Sequence, residues 1–357
     1  MKRIVPLLLI VPFILTDCAF WKTTTLSPKR FAFVPSGSKP GQVTVKTDEY
    51  GLEDLTIGVS VSMKRICLAD NEAHRVQIMR PNGDVELMIG SLKNVKTGDI
   101  PSENFSFGTI GYVIMDDDDN VYIQNKLSRM RGAGRENYGG NDAIDVSPSY
   151  IVKFSKSGEL QYTLGQKGTP ETPFSHIERL FIDSNDRLFV ISRSIDSWSV
   201  FRFNGKNRDY HVNLGTLNLQ EREDGNVYEG KIDNVRVFSS GDKLLISVSY
   251  YHGLRLKYIK IFEFPVKEGR IARNIMTIPD PKNVLFDIID DKYIYLWNVS
   301  NDQVKFEVAN LDGSIVNNVY LNIEDKRNYY SRIILDDAGR IYSYNILKSG
   351  VDILRWE

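Results

Sequence analysis

The chain has 357 residues, 25% of them charged and 42% hydrophobic, an ordinary globular composition that excludes a disordered or collagen-like chain. That length suits one large domain or two ordinary ones. A formal net charge of −1 gives no global attraction for nucleic acid or an anionic membrane surface, so no nucleic-acid partner is expected.

Residues 1–17 read as an export signal. Lys2 and Arg3 make a basic start, and the apolar stretch Ile4 to Leu15, broken by Pro6 and Pro12, falls short of the ~20 residues that span a bilayer. The stretch Leu15-Thr16-Asp17-Cys18 resembles a lipobox, the bacterial lipoprotein signal, in the looser spirochaete-like form with Asp before the Cys. This resemblance implies lipidation (palmitate or similar acyl chains) of Cys18 and a place in the cell envelope, at the outer membrane or its periplasmic face. Several acyl chains anchor a protein stably without a transmembrane helix. Residues 18–29 then act as a lipidated tether, and 30–357 form one domain. The second cysteine, Cys67, has no intramolecular partner once Cys18 is acylated, and it falls in an apolar strand pattern as a small core residue.

From residue 57 onward, period-two alternation dominates. In the segment CLADNEAHRVQIMRPNGDVELMIG, 67–90, three strands are separated by an Asn/Glu turn and a Pro-Asn-Gly turn. With the strand before it, 57–61, this makes a four-stranded meander. The unit recurs, with starts near 57, 109, 178, 233, 284 and 330. Anchor positions Cys67, Tyr122, Phe189, Leu245, Tyr295 and Tyr342 are roughly 45–70 residues apart. Helical periodicity with caps is nearly absent, which excludes a Rossmann or barrel arrangement. The predicted fold is all-β, a six-bladed β-propeller of four-stranded antiparallel blades.

The last unit holds only three strands before Glu357, and an open blade leaves an unpaired edge. The segment 30–48 carries two short strand patterns with no blade of their own. One of them, Phe31–Val34 or Gln42–Lys46, is expected to supply the missing outer strand of the last blade.

Residues 57–90 also resemble an NHL repeat: Ala69-Asp70, His74-Arg75-Val76-Gln77 and Asn82-Gly83 fall on its motif. The resemblance implies a six-bladed propeller, and it makes Asp70, His74 and Arg75 structural, the basic pair having Asp70 as a partner. In the other units only the hydrophobic skeleton and the turn acids survive.

Loops joining second to third strands, and fourth strands to the next blade, share one face of a propeller. The longest insertion, 125–148, lies there with Arg129, Arg131, Arg135 and Tyr138. Arg193 and Trp198 of the third unit and Tyr250, Tyr251, His252 and Arg255 of the fourth join them. Arg and aromatic residues dominate interfaces, so these are the candidate ligand-binding residues. The run Asp116–Asp119 reads as a turn rather than a cation site, because acidic turns recur at 183–186 and 336–337, and Asp bonds its own backbone in turns. The four histidines, His74, His176, His211 and His252, show no paired spacing for zinc. No nucleophile elbow or phosphate loop is present, so no metal, cofactor or catalytic residue is assigned.

These features point to a membrane-anchored exported propeller that binds an envelope protein, a host protein or another ligand through its loop face. The alternative is a lactonase-, lyase- or hydrolase-like propeller enzyme with a metal in the central channel. A third is a structural envelope protein whose contacts are made by its sides.

Overall fold

A computed structural model describes residues 22–48, 51–52, 57–62, 64–127, 149–165, 174–195, 197–223, 225–300, 303–323, 333–336 and 338–357. Six antiparallel sheets follow one another along the chain as six blades of a β-propeller. Each blade runs from an inner first strand at the channel to an outer fourth strand. The second strands, such as Ile66–Asp70 and Leu188–Arg193, are apolar and β-branched or aromatic, and they are buried nearly throughout because neighbouring blades cover both faces. Of the anchor positions, Cys67, Tyr122, Phe189, Leu245 and Tyr342 are buried, while Tyr295 packs half-buried against the cluster between blades 5 and 6.

The core is divided as a ring requires. Among the described residues six apolar clusters form, one at each interface between adjacent blades. The cluster between blades 6 and 1 includes Ala32 and Val34 from the N-terminal segment.

Closure occurs as the missing strand demands. Pro28–Pro35 pairs antiparallel with Gly350–Trp356, in register Ala32↔Ile353 and Val34↔Val351, and completes blade 6 as its outer strand. The two prolines sit at the ends of this edge strand, where a missing N–H costs nothing. Of the two expected candidates, Phe31–Val34 is therefore the closing strand. Around Gln42–Lys46 there is only an isolated bridge, Ser36↔Val43.

Three features differ from the expected layout. The tether assigned to 18–29 is strand over much of its length: Lys22–Leu26 lies parallel to Ile315–Leu321 as a fifth strand of blade 5. Its three consecutive threonines are β-branched, and the outer edge of that blade offers unpaired backbone groups. Residues 18–21, and the signal segment with Cys18, lie outside the described residues. Ser102–Asn104 adds a parallel fifth strand to blade 1. Glu221–Glu223 pairs with the start of the long inner strand Asn226–Val237, so blade 4 begins before the expected 233.

Asp70 and Arg75 pair with each other, while His74 turns to a neighbouring blade. Arg75, not His74, pairs with Asp70, at 3.4 Å, with the two side chains 1% and 0% exposed. The Arg75 guanidinium donates to the carbonyls of Ser38 (2.6 Å) and Gln42 (2.9 Å), Gln77 Nε2 donates to Gln42 O (2.7 Å), and Thr44 N donates to Asp70 Oδ2 (2.8 Å). This trio grips the chain just after the closing strand. His74 points elsewhere: its Nδ1 lies 2.9 Å from Gly108 O, tying blade 1 to the entrance of blade 2.

Candidate functional site

The two ends of the strands are finished differently. At the turns between first and second strands, a buried aspartate organises blades 2, 3 and 6. Asp116 accepts from Asn120 N and Nδ2 and faces Lys153 Nζ at 3.1 Å. Asp183 accepts from the backbone N–H of Asn185 and Arg187 and from Arg187 Nε (2.7 Å). Asp336 repeats this with Ala338, Arg340 and Arg340 Nε (2.7 Å). These acids are occupied by their own turns, which is the chemistry expected of Asp in that position. Asp337 lies outside the described residues.

The opposite end is open. Ile195, Val227, Leu254, Val284 and Leu347 are exposed large apolar residues, and each sits at the loop-face end of its strand or hairpin. Ile195 is 72% exposed, and Leu254 is fully exposed at the tip of the blade 4 hairpin.

Between the two ends, a channel of about 640 Å³ is lined mainly by the inner strands. Most of its charged lining comes from four blades whose inner strands are bulged, with Ser60, Ser62 and Asp336 added from blades 1 and 6. The pairing with the second strand slips between Ile110 and Val113 in blade 2, Ile177 and Arg179 in blade 3, Ile232 and Asn234 in blade 4, and Leu285 and Asp287 in blade 5. A bulge breaks the in–out alternation and re-aims side chains. At the first bulge, Gln124 Oε1 accepts the freed N–H of Tyr112 (3.1 Å). A Cβ at Gly111 would collide with the same Gln124 oxygen, so any larger residue displaces that amide. Blade 1 has a regular inner strand, and the described part of the blade 6 inner strand, Ile333–Leu335, pairs without a shift. They contribute Val59, Ile334, Leu335 and Tyr344 to the lining.

At mid-channel Arg179 Nη2 lies 2.5 Å from Asp287 Oδ2, and Arg236 Nε lies 3.6 Å from Asp287 Oδ1. Arg236 Nε donates to Phe286 O (2.7 Å) and its Nη1 to Val235 O (2.9 Å) and Asn234 Oδ1. Burial, reinforced by the neighbouring Arg179 charge, lowers the Arg236 pKa to about 10, still charged at neutral pH. Tyr112 faces the channel, 43% exposed, and desolvation by the surrounding walls raises its pKa. In blade 4, Asp233 accepts from Ser249 Oγ (2.6 Å), and desolvation raises its pKa. Among the described residues no group of three or more His, Cys, Asp or Glu side chains comes together to hold a metal ion.

The candidate ligand residues separate into three groups. Arg129, Arg131, Arg135 and Tyr138 lie outside the described residues. Trp198 and Tyr250 are buried in the interface between blades 3 and 4, where Trp198 Nε1 donates to Ile232 O (3.0 Å), and are wall rather than contact surface. The long hairpin of blade 4 covers Tyr250, whose ring lies 5.2 Å from that of Tyr258 and under Lys260 Nζ. Arg193, Tyr251, His252 and Arg255 remain on or near the loop face. Arg193 lies over the Trp198 ring at 5.4 Å and reaches Glu178 at 3.5 Å, while Lys231 lies 5.6 Å over Tyr251. His252 and Arg255 are exposed at the hairpin tip. The channel residues Tyr112, Glu178, Arg179, Arg236 and Asp287 were not among the expected ones. Their signal is a charged or phenolic residue inside an otherwise apolar first strand.

No family model matches the chain, and no curated protein matches it. Solved propellers are similar to it. A gluconolactonase from Xanthomonas campestris is 12% identical over 82% of each chain with a TM-score of 0.42. The Dos1 propeller is 9% identical over 94% of this chain and 92% of its own, with a TM-score of 0.45. The polysaccharide lyase Uly1 is 11% identical over 92% and 97%, with a TM-score of 0.39. The architecture of the chain stands on its own strand order, and activity has to be argued from the site.

Proposed function

We propose that this is an exported lipoprotein, anchored through Cys18 in the cell envelope, whose propeller binds a partner through its loop face. The observation that carries the binding reading is the asymmetry of the two ends. One end ties Asp116, Asp183 and Asp336 into their own turns, whereas the other leaves Ile195, Val227, Leu254, Val284 and Leu347 exposed. Apolar side chains gathered on one face with Arg193 and Tyr251 near them are the composition of a protein interface. The lipobox-like stretch supports the anchor.

The metal-dependent enzyme reading requires a donor set that the described residues do not assemble. The test is capture of the acylated protein from native membranes. A stoichiometric partner is expected, and it is lost when Ile195→Asp and Leu254→Asp are combined, while stability stays within about 0.5 kcal/mol per exposed substitution. Recovery of the same partner by the double variant would overturn the face assignment. Cys18→Ser is expected to release the protein into the soluble fraction, and continued tight membrane association would sink the anchor.

A further inference from the structure

We propose that the protein meets the lipid bilayer with its rim, at the junction of blades 4 and 5, so that neither the loop face nor the turn end lies against the membrane. The inference rests on the reading of Cys18 as the anchor and adds the orientation that the anchor imposes.

The route of the N-terminal segment carries it. Lys22–Leu26 is the outermost strand of blade 5, in register Lys22↔Asn317 and Leu26↔Leu321, and Pro28–Pro35 is the outermost strand of blade 6. Only Ser27 separates the two strands. Its N–H donates to Glu357 O (3.0 Å) and its carbonyl accepts from Glu357 N (3.1 Å), while Leu26 O accepts from Asn322 N (3.0 Å). One chain can edge two blades in succession only if their outer strands lie end to end. Residues 22–35 therefore run as a belt around the circumference rather than from one face to the other. The upstream end of the belt lies near the blade 5 hairpin, which abuts the outer strand of blade 4: Arg273 Nη1 donates to Leu311 O (3.0 Å).

The length of the chain sets the rest. Cys18 is four residues before Lys22, so its acyl chains are held within ~14 Å of the belt. The belt is four strand spacings, roughly 19 Å, outside the inner strand of blade 5. Inner strands such as Thr109–Met115, seven residues at ~3.3 Å each, make the disc about 23 Å thick. Lying flat on either face would draw residues 19–21 straight across half that thickness, about 12 Å, which is nearly their full reach. Lying on the rim leaves them slack, and chain entropy favours the slack arrangement. A net charge of −1 gives no global field that would turn one face toward an anionic leaflet. The loop face then looks along the membrane, toward neighbours anchored in the same leaflet.

The experiment places the acylated full chain in phosphatidylcholine vesicles with and without a headgroup-quencher lipid. A fluorophore is attached to single introduced cysteines at exposed positions, the native Cys67 being buried. Thr277→Cys labels the outer strand of blade 4 beside the blade 5 hairpin, and Gln161→Cys labels the outer strand of blade 2, across the ring. Val284→Cys and Lys292→Cys label the loop-face and turn ends of blade 5. Quenching at 277 is expected to exceed that at 161 at least threefold, with 284 and 292 within twofold of each other. A larger contrast between 284 and 292 than between 277 and 161 would overturn the proposal, and the more quenched of that pair would show which end lies on the lipid. Equal quenching at all four sites would overturn it as well, because the tether would then leave the ring unoriented. Flotation with the vesicles keeps the two readings apart. Loss of flotation in Cys18→Ser upholds the anchor whatever the quenching pattern, whereas undiminished flotation of that variant sinks the anchor and the rim assignment with it.

Discussion

Blade 1, and blade 6 over its described residues Ile333–Leu335, meet the channel with regular inner strands, whereas blades 2–5 meet it with bulged ones. The regular pair carries the closure of the ring: the N-terminal strand completes blade 6, and Asp70, Arg75 and Gln77 of blade 1 hold the chain that follows it. The bulged group carries Tyr112, Glu178, Arg179, Arg236 and Asp287. Where alternation is unbroken the residues hold the molecule together, and where it slips, polar side chains enter the channel. Local departures from regular patterning are where function is expected to sit.

The largest effect should come from the closure. Arg75→Ala leaves the Asp70 carboxylate buried without its partner and frees the carbonyls of Ser38 and Gln42. Breaking a buried pair in this way costs about 3–5 kcal/mol. Urea denaturation should show that loss. A loss below about 1 kcal/mol would mean that the grip on the N-terminal segment is dispensable and that closure rests on strand pairing alone.

The contrast between the two kinds of inner strand can be probed at one residue type. Gly58 of blade 1 and Gly111 of blade 2 both lie on inner strands. A Cβ at Gly58 would meet the Ala69 Cβ at 3.4 Å, ordinary contact, while one at Gly111 would run into the Gln124 amide. Gly58→Ala is expected within about 1 kcal/mol of the parent, with a slight gain possible from the stiffer unfolded chain. Gly111→Ala should cost about 1–3 kcal/mol, because Gln124 must leave the N–H it satisfies at the bulge. Equal effects at both sites would break the distinction drawn between the two groups of blades.

The same distinction explains what the sequence made legible. Alternation, turn residues and the count of repeats led to the six blades, and the missing fourth strand of the last unit led to Phe31–Val34. Those inferences use local patterns that the fold preserves. The channel residues were hidden because a bulge shifts the alternation by a residue, so that Glu178-Arg179 and Phe286-Asp287 do not declare which of them faces inward. Trp198 and Tyr250 misled for the opposite reason. They lie near loop-face ends, but the long strands of blade 4 carry the wall between blades beyond them and bury both. The threonine run at 23–25 was read by its position near the N-terminus, although β-branched residues beside an open sheet edge favour a strand.

The smallest expected effect separates two acids of blade 4 by the sign of their titration. Asp233, at the bulge, has its pKa raised chiefly by desolvation, against the hydrogen bond from Ser249 that lowers it. Glu263 is also desolvated, but Arg273 and Lys243 outweigh that and lower its pKa. A raised acid is protonated more readily in the folded state than in the unfolded one. Its stabilising contribution is therefore complete below the unfolded value of 3.8 and is lost as pH rises through the folded pKa. A depressed acid behaves in the reverse way: the Glu263 contribution is present above the unfolded value of 4.5 and is lost as pH falls through the folded pKa. Asp233→Asn should thus raise stability at pH 7, with the gain vanishing below pH 3.8, whereas Glu263→Gln should lower stability at pH 7 and converge on the parent in acid. Melting temperatures across that range test both. A loss of stability at pH 7 in Asp233→Asn would show that its serine hydrogen bond outweighs its desolvation. Asp233 would then belong with the acids that secure the fold, not with those the fold holds at a cost beside the channel.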